Sequence, residues 1–179
     1  MADFEEILKI ATEKVAEKYF LTKIRQANDS SKYVYRERIY CYELYHQIRT
    51  EWGSNPDINF FGEYDKSGSS LYTGTSSQGV KPDFSIHSPG DIDSNFIAME
   101  VKSSNASESA IKKDIEKLIK LTTYQNFKYG IYLIYGKNAI KKGEIAKKFI
   151  DEKSKSNIKI FMHSKAETKA FALDSESAI

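Results

Sequence analysis

The chain has 179 residues, with 27 Lys plus Arg against 25 Asp plus Glu and 40% hydrophobic positions. That length and apolar content suit one domain with a real core, and exclude collagen-like, disulfide-framework and disordered classes. No run approaches the roughly 18 apolar residues of a membrane helix, and the single Cys41 excludes an internal disulfide or a cysteine-cluster metal site.

Asp3, Glu5 and Glu6 directly after the initial Met do not suit a signal peptide. The expectation is a soluble cytoplasmic protein with no membrane partner. Phe4, Ile7, Leu8, Ala11, Val15 and Tyr19 recur at helical spacing and predict a helix ending near Ile24, before the polar break 26–31. Residues 1–31 thus read as an N-terminal helical extension. A second helix is expected from about Tyr35 to Thr50, stopped by Gly53 and Pro56.

The period then changes to that of strands. Ile58 to Asp65 reads as a strand, and Ser67 to Gly79 as a loop in which ten of thirteen residues are Gly, Ser or Thr. A loop of that composition is functional more often than it is a tight turn. Lys81 to His87 and Phe96 to Val101 read as further strands, joined by a turn at Ser88-Pro89-Gly90-Asp91. Ser107 to about Phe127 is expected to be helical, with Ile111, Ile115, Leu118, Ile119 and Thr122 along one side. Tyr129 to Tyr135 is a continuous apolar run, as a strand buried on both faces requires. A helix over about 139–153 and a short strand at Ile158 to Met162 complete the pattern. The fold class is α/β, a mixed sheet made of a meander and then crossover units, in one domain over 1–179 with a core of about 35–162.

Chemistry concentrates in Lys81-Pro82-Asp83-Phe84 and Met99-Glu100-Val101-Lys102. Glu100 and Lys102 stand two apart on a strand and share a face. Pairing of the two strands as a hairpin brings Asp83 alongside them. Burying such a trio without purpose is costly. A divalent cation resolves that cost for the carboxylates, and oxygen ligands suit Mg²⁺ or Mn²⁺.

At these residues the sequence resembles the PD-(D/E)XK nuclease superfamily of restriction-endonuclease-like enzymes. Pro82-Asp83 matches the first half of the motif and Glu100-Val101-Lys102 the second, 17 positions after Asp83. The resemblance implies an αβββαβ core, here about 35 to 135, with a mixed central sheet flanked by helices. It implies metal-dependent hydrolysis of phosphodiester bonds in nucleic acid, DNA first, in restriction, defence, repair or mobile-element processing. Asp83 and Glu100 would hold the metal, joined by the carbonyl of Val101, and Lys102 would orient or deprotonate the attacking water or neutralise the transition-state anion.

Many members also carry an acid on the preceding helix, for which Glu37 and Glu43 are candidates. Glu37 falls inside the apolar stripe of Cys41, Leu44 and Ile48, whereas Glu43 lies off its edge, so Glu37 is preferred. Gln47 is placed to hydrogen-bond an acid or the substrate. Glu63 and Asp65 alternate onto one strand face as further acids. His46, His87 and His163 lack metal-ligand spacing, and Cys41 reads as a core residue.

Residues 112–128 carry five Lys and two acids, and 137–155 seven Lys and three acids. Those helices are expected to contact a phosphate backbone. Aromatics gather between Tyr33 and Tyr72, mostly for core packing, with one or two free to stack on unpaired bases. The resemblance also admits a homodimer or a larger complex. The rival expectations are a non-catalytic binding module on the same fold and a subunit active only when assembled.

Overall fold

The computed structural model describes residues 1–25, 27, 30–53, 59–62, 81–88 and 95–173. Helix α1 (Ala2–Glu13) buries Phe4, Leu8 and Ala11 and carries Asp3 and Glu5 in its first turn, where the helix dipole favours acids. Helix α3 (Glu37–Trp52) buries Tyr40, Leu44 and Ile48, one turn apart, and ends at Gly53 with a φ of 69°. That angle suits glycine alone among common residues, so the expected stop is where the sequence puts it. Helix α4 (Glu108–Tyr124) starts where the Ser107 hydroxyl accepts the Ala110 N–H at 3.2 Å.

Six strands form one mixed sheet, in sequence order across the sheet: β3 (Asn59–Gly62), β4 (Phe84–His87), β5 (Ile97–Ser103), β6 (Tyr129–Tyr135), β7 (Ile158–His163) and β8 (Phe171–Ala172). The first three form an antiparallel meander. Strands β5, β6 and β7 are parallel, with α4 crossing between the first two and α5 (Ala139–Lys147) between the last two. β6 lies mid-sheet and buries every residue from Gly130 to Tyr135.

Side chains alternate between two cores. Met99 and Val101 of β5 and Ile131, Leu133 and Tyr135 of β6 pack with α1 and α3. Ala98, Tyr132 and Ile134 pack on the opposite face with α4 and α5. Glu100, between Met99 and Val101, therefore faces the α4 side. Among the described residues no helix is long and apolar enough to cross a membrane.

Two expectations need correction. The first helix does not run to Ile24: α1 stops at Glu13, a single turn α2 (Glu17–Phe20) follows, and Thr22–Arg25 is a strand, β1, paired antiparallel with β2 (Ser31–Val34). Its end is fixed from a distance, because Glu167 N–H donates to the Val15 carbonyl at 3.2 Å and Ala170 N–H to the Thr12 hydroxyl at 2.8 Å. Thr22 and Ile24 then turn inward between the exposed Lys23 and Arg25, a period of two that the longer helical pattern conceals. The extension at 1–31 is thus helical only in part. Helix α5 ends at Lys147, not near Lys153, in a series of i to i+3 bonds from Lys148, Phe149 and Ile150. Beyond His163, β8 adds an antiparallel edge strand. The loop at 67–79, the turn's 89–91, and Glu63 and Asp65 lie outside the described residues.

Candidate functional site

The site forms at the end of β5 because of register. Phe84 pairs with Met99 in the β4–β5 ladder, so one step further puts Asp83 opposite Glu100. Asp83 Oδ2 accepts the Val101 N–H at 2.8 Å, which ties the acid to the strand just past Glu100. Two residues along, Lys102 reaches the end of the sheet, where the two helical layers meet. Its Nζ lies 3.1 Å from Glu37 Oε1 on α3 and 3.1 Å from Asp114 Oδ2 on α4. Glu37 also accepts the Ser103 N–H at 3.3 Å. Glu37, the preferred helix acid, is therefore joined to the strand that carries Glu100 and Lys102.

Glu43 is placed elsewhere: its carboxylate accepts a 2.7 Å hydrogen bond from Gln47, one turn along the same helix. Gln47 thus bonds an acid, one of the two partners expected for it. Val101 points its side chain into the α1/α3 core. His87 is buried beside Ser85, 3.3 Å from its hydroxyl, and His163 is buried against Tyr40. Cys41 is only half-buried and lines a cavity as well as packing against the core.

Asp114 and Lys117 carry weight that the sequence reading did not assign them. Lys117 Nζ approaches Glu100 Oε1 to 2.7 Å, yet that oxygen has no aligned hydrogen-bond donor. The Tyr132 hydroxyl donates a long 3.4 Å bond to Asp114. A usable signal existed for Asp114. It falls three residues after Ile111 and four before Leu118, inside the apolar stripe of α4, by the same rule that picks out Glu37. The remaining lysines of α4, Lys112, Lys113 and Lys120, are exposed, and Lys112 lies 3.9 Å from Glu116. On α5, Lys142 donates instead to the Ala106 carbonyl at 2.7 Å.

Electrostatics separate the acids from the lysine. Glu100 is 2% exposed. Burial, then the neighbouring Asp83 charge, push its carboxyl well above the usual range against the pull of Lys117. Burial also raises Asp83, opposed by the Val101 N–H and by Lys117. For Lys102, burial disfavours the charge, but Asp114 and Glu37 outweigh it and hold the pKa above that of an ordinary lysine. The ammonium therefore stays protonated at neutral pH.

Among the described residues, no three His, Cys, Asp or Glu side chains gather closely enough to enclose a metal ion. Mg²⁺ does not require such a cage, because it commonly binds through one or two carboxylates and fills its shell with water and phosphate oxygens. Asp83 and Glu100 suit that mode: they stand opposite each other on paired strands, and burial raises the pKa of both. A cavity of about 530 Å³ opens beside Asp83, lined by it and Glu37 together with Arg38, Cys41, Tyr42, Tyr45, Gly62 and Phe84. In comparison with known proteins, no family model matches this chain and no curated protein matches it.

Proposed function

We propose that this chain is a metal-dependent nuclease that hydrolyses phosphodiester bonds in nucleic acid, DNA in the first instance. The observation that carries the proposal is the β4–β5 register, which sets Asp83 against Glu100 with Lys102 two residues on. Support also comes from the order of α3, β3, β4, β5, α4 and β6, which is that of a restriction-endonuclease-like core. It acts in the cytoplasm, alone, as a homodimer or within a larger defence or processing complex.

Asp83 and Glu100 are the residues that would hold Mg²⁺ or Mn²⁺, joined by the Val101 carbonyl, with Glu37 ahead of Glu43 as the helix acid. The metal would lower the pKa of a bound water and stabilise charge on the scissile phosphate. The chain supplies the rest. Lys102 is held as a cation by Asp114 and Glu37, so it acts as an electrostatic partner for the developing anion and orients the nucleophile; it is not the base. Glu37 fixes the strand end through Ser103 N–H as well as Lys102. Exposed lysines of α4 add a salt-dependent grip on the backbone.

Cleavage of supercoiled, linear and single-stranded DNA in Mg²⁺ or Mn²⁺, with EDTA and Asp83→Ala as controls, tests the proposal. Cutting that requires metal and disappears in the variant is the expected result. No cutting, with no metal binding by calorimetry, would overturn it. A second reading draws on Lys117, whose ammonium already answers the charge of Glu100. That arrangement suits a nucleic-acid-binding module without catalysis, and the same negative result would select it.

A further inference from the structure

We infer that the cavity beside the carboxylate pair is a pocket for one unpaired nucleobase, so that the preferred substrate is a single-stranded or locally unpaired segment. The inference rests on the nuclease reading for the position of the phosphate, and on the cavity for everything else.

The cavity shares Glu37 and Asp83 with the site, so a nucleotide next to a phosphate held there lies at its mouth. Its volume, about 530 Å³, falls in the range of sites that enclose small ligands. Its walls are flat and aromatic. Tyr45 is fixed as a platform, nearly parallel to Phe60 at 5.4 Å and to Phe84 at 6.1 Å. Tyr42 lines the same space and is 68% exposed, whereas Tyr40 on the same helix is fully buried and Tyr45 and Trp52 are partly so. Aromatic faces of this kind take any base by stacking.

Cations stand in the cavity wall and in the chain that precedes it. Arg38 lines the cavity, and Arg36 is exposed two residues earlier, at the start of the helix. Two residues before Arg36, the β1–β2 hairpin ends. Its outward face pairs Lys23 with Tyr33, which is 59% exposed, and carries Arg25 beside them. A strand laid along that face has charge for its phosphates and a ring for a base. A paired duplex keeps its bases stacked inside and cannot present one to a side pocket without unpairing it.

The test is binding of a 20-nucleotide DNA strand containing one 2-aminopurine, free or annealed to its complement, in calcium in place of magnesium. On the single strand, wild-type protein should quench the 2-aminopurine and bind more tightly than on duplex. Tyr42→Ala should weaken single-strand binding roughly 5- to 150-fold, the stacking contribution of one base, and Tyr42→Phe should restore it. Gly62→Leu should do the same by filling the pocket. A Cβ there meets Tyr45 and Phe84 at ordinary contact distances of 3.6 and 3.8 Å, so the backbone takes a side chain at this position without a Cβ clash. Tyr124→Ala, removing an equally exposed ring on α4, should leave affinity unchanged.

Equal affinity for strand and duplex with no quenching would overturn the pocket, as would wild-type affinity in both Tyr42→Ala and Gly62→Leu. Because the readout is binding, its failure is distinct from a failure to cleave. A quenched base with no cutting of any nucleic acid would leave the pocket standing and remove the nuclease.

Discussion

Helix α3 contributes to two buried polar clusters, and they are built in opposite ways. Toward its N-terminus, Glu37 joins Lys102, Asp114 and the strand that bears Glu100: charged groups in partial or complete burial. Less than one turn on, Tyr40 stacks on Tyr135 at 3.8 Å, meets Phe20 edge-on, and shares a 2.8 Å hydrogen bond with His163. The aromatic cluster holds neutral groups only, since burial lowers the His163 pKa to about 4. Burial disfavours charge at the carboxylates too and raises the pKa of both acids, yet Asp114 and Glu37 hold Lys102 beside them as a cation. One cluster is what a core makes when it serves stability. The other retains charge that stability alone would remove, which is why chemistry is assigned to it.

The largest expected effect comes from neutralising the acids. Glu100→Gln or Asp83→Asn should lower metal-dependent cleavage by at least about 10³-fold, since each removes a candidate ligand and its charge. Glu100→Gln should at the same time raise the melting temperature near neutral pH, because it removes a carboxyl whose charged form burial disfavours. Calorimetric melting beside a cleavage assay checks both. A variant that loses activity and stability together would place Glu100 among structural groups.

Lys102→Ala should reduce cleavage by about 10²- to 10³-fold while metal affinity stays near that of wild type, as electrostatic support does. Asp114→Asn, which loosens only one of the lysine's two holders, should lower cleavage about 10- to 100-fold, read from rates at saturating substrate. In the aromatic cluster, Tyr40→Phe should cost about 1–3 kcal/mol by leaving His163 without its partner, with cleavage unchanged once the protein is folded.

The two clusters should also give opposite pH slopes. Native His163 binds a proton only near pH 4, whereas the unfolded residue binds one near 6.5. Between those values the unfolded chain holds more protons, so stability from this group is full above 6.5 and falls as the pH drops toward 4. Native Glu100 keeps its proton well above 4.5, so the native state holds more protons there and stability falls as the pH rises past 4.5. Denaturant melts over pH 4–8 should lose the first slope in His163→Gln and the second in Glu100→Gln.

Elements with strong local patterns were legible in the sequence. The apolar run of β6, the stripe of α3 with its Gly53 stop and the Ser107 start of α4 each follow from neighbouring residues. So does the placing of Asp83 opposite Glu100, because strand period and hairpin pairing determine it. What escaped depends on distant partners. The break after Glu13 is set by bonds from residues 167 and 170, and β8 exists through its pairing with β7. Lys117 looked like one more solvent-facing lysine, and only the β5–α4 packing turns it toward Glu100.

The most direct test is melting of wild-type protein and Glu100→Gln near pH 7.5 with rising Mn²⁺. If the acid pair is a metal centre, the ion relieves its repulsion and binds the folded state alone, so wild-type Tm should climb with concentration. Glu100→Gln should start higher and respond little. A wild-type Tm indifferent to Mn²⁺, or equal shifts in both proteins, would contradict the account.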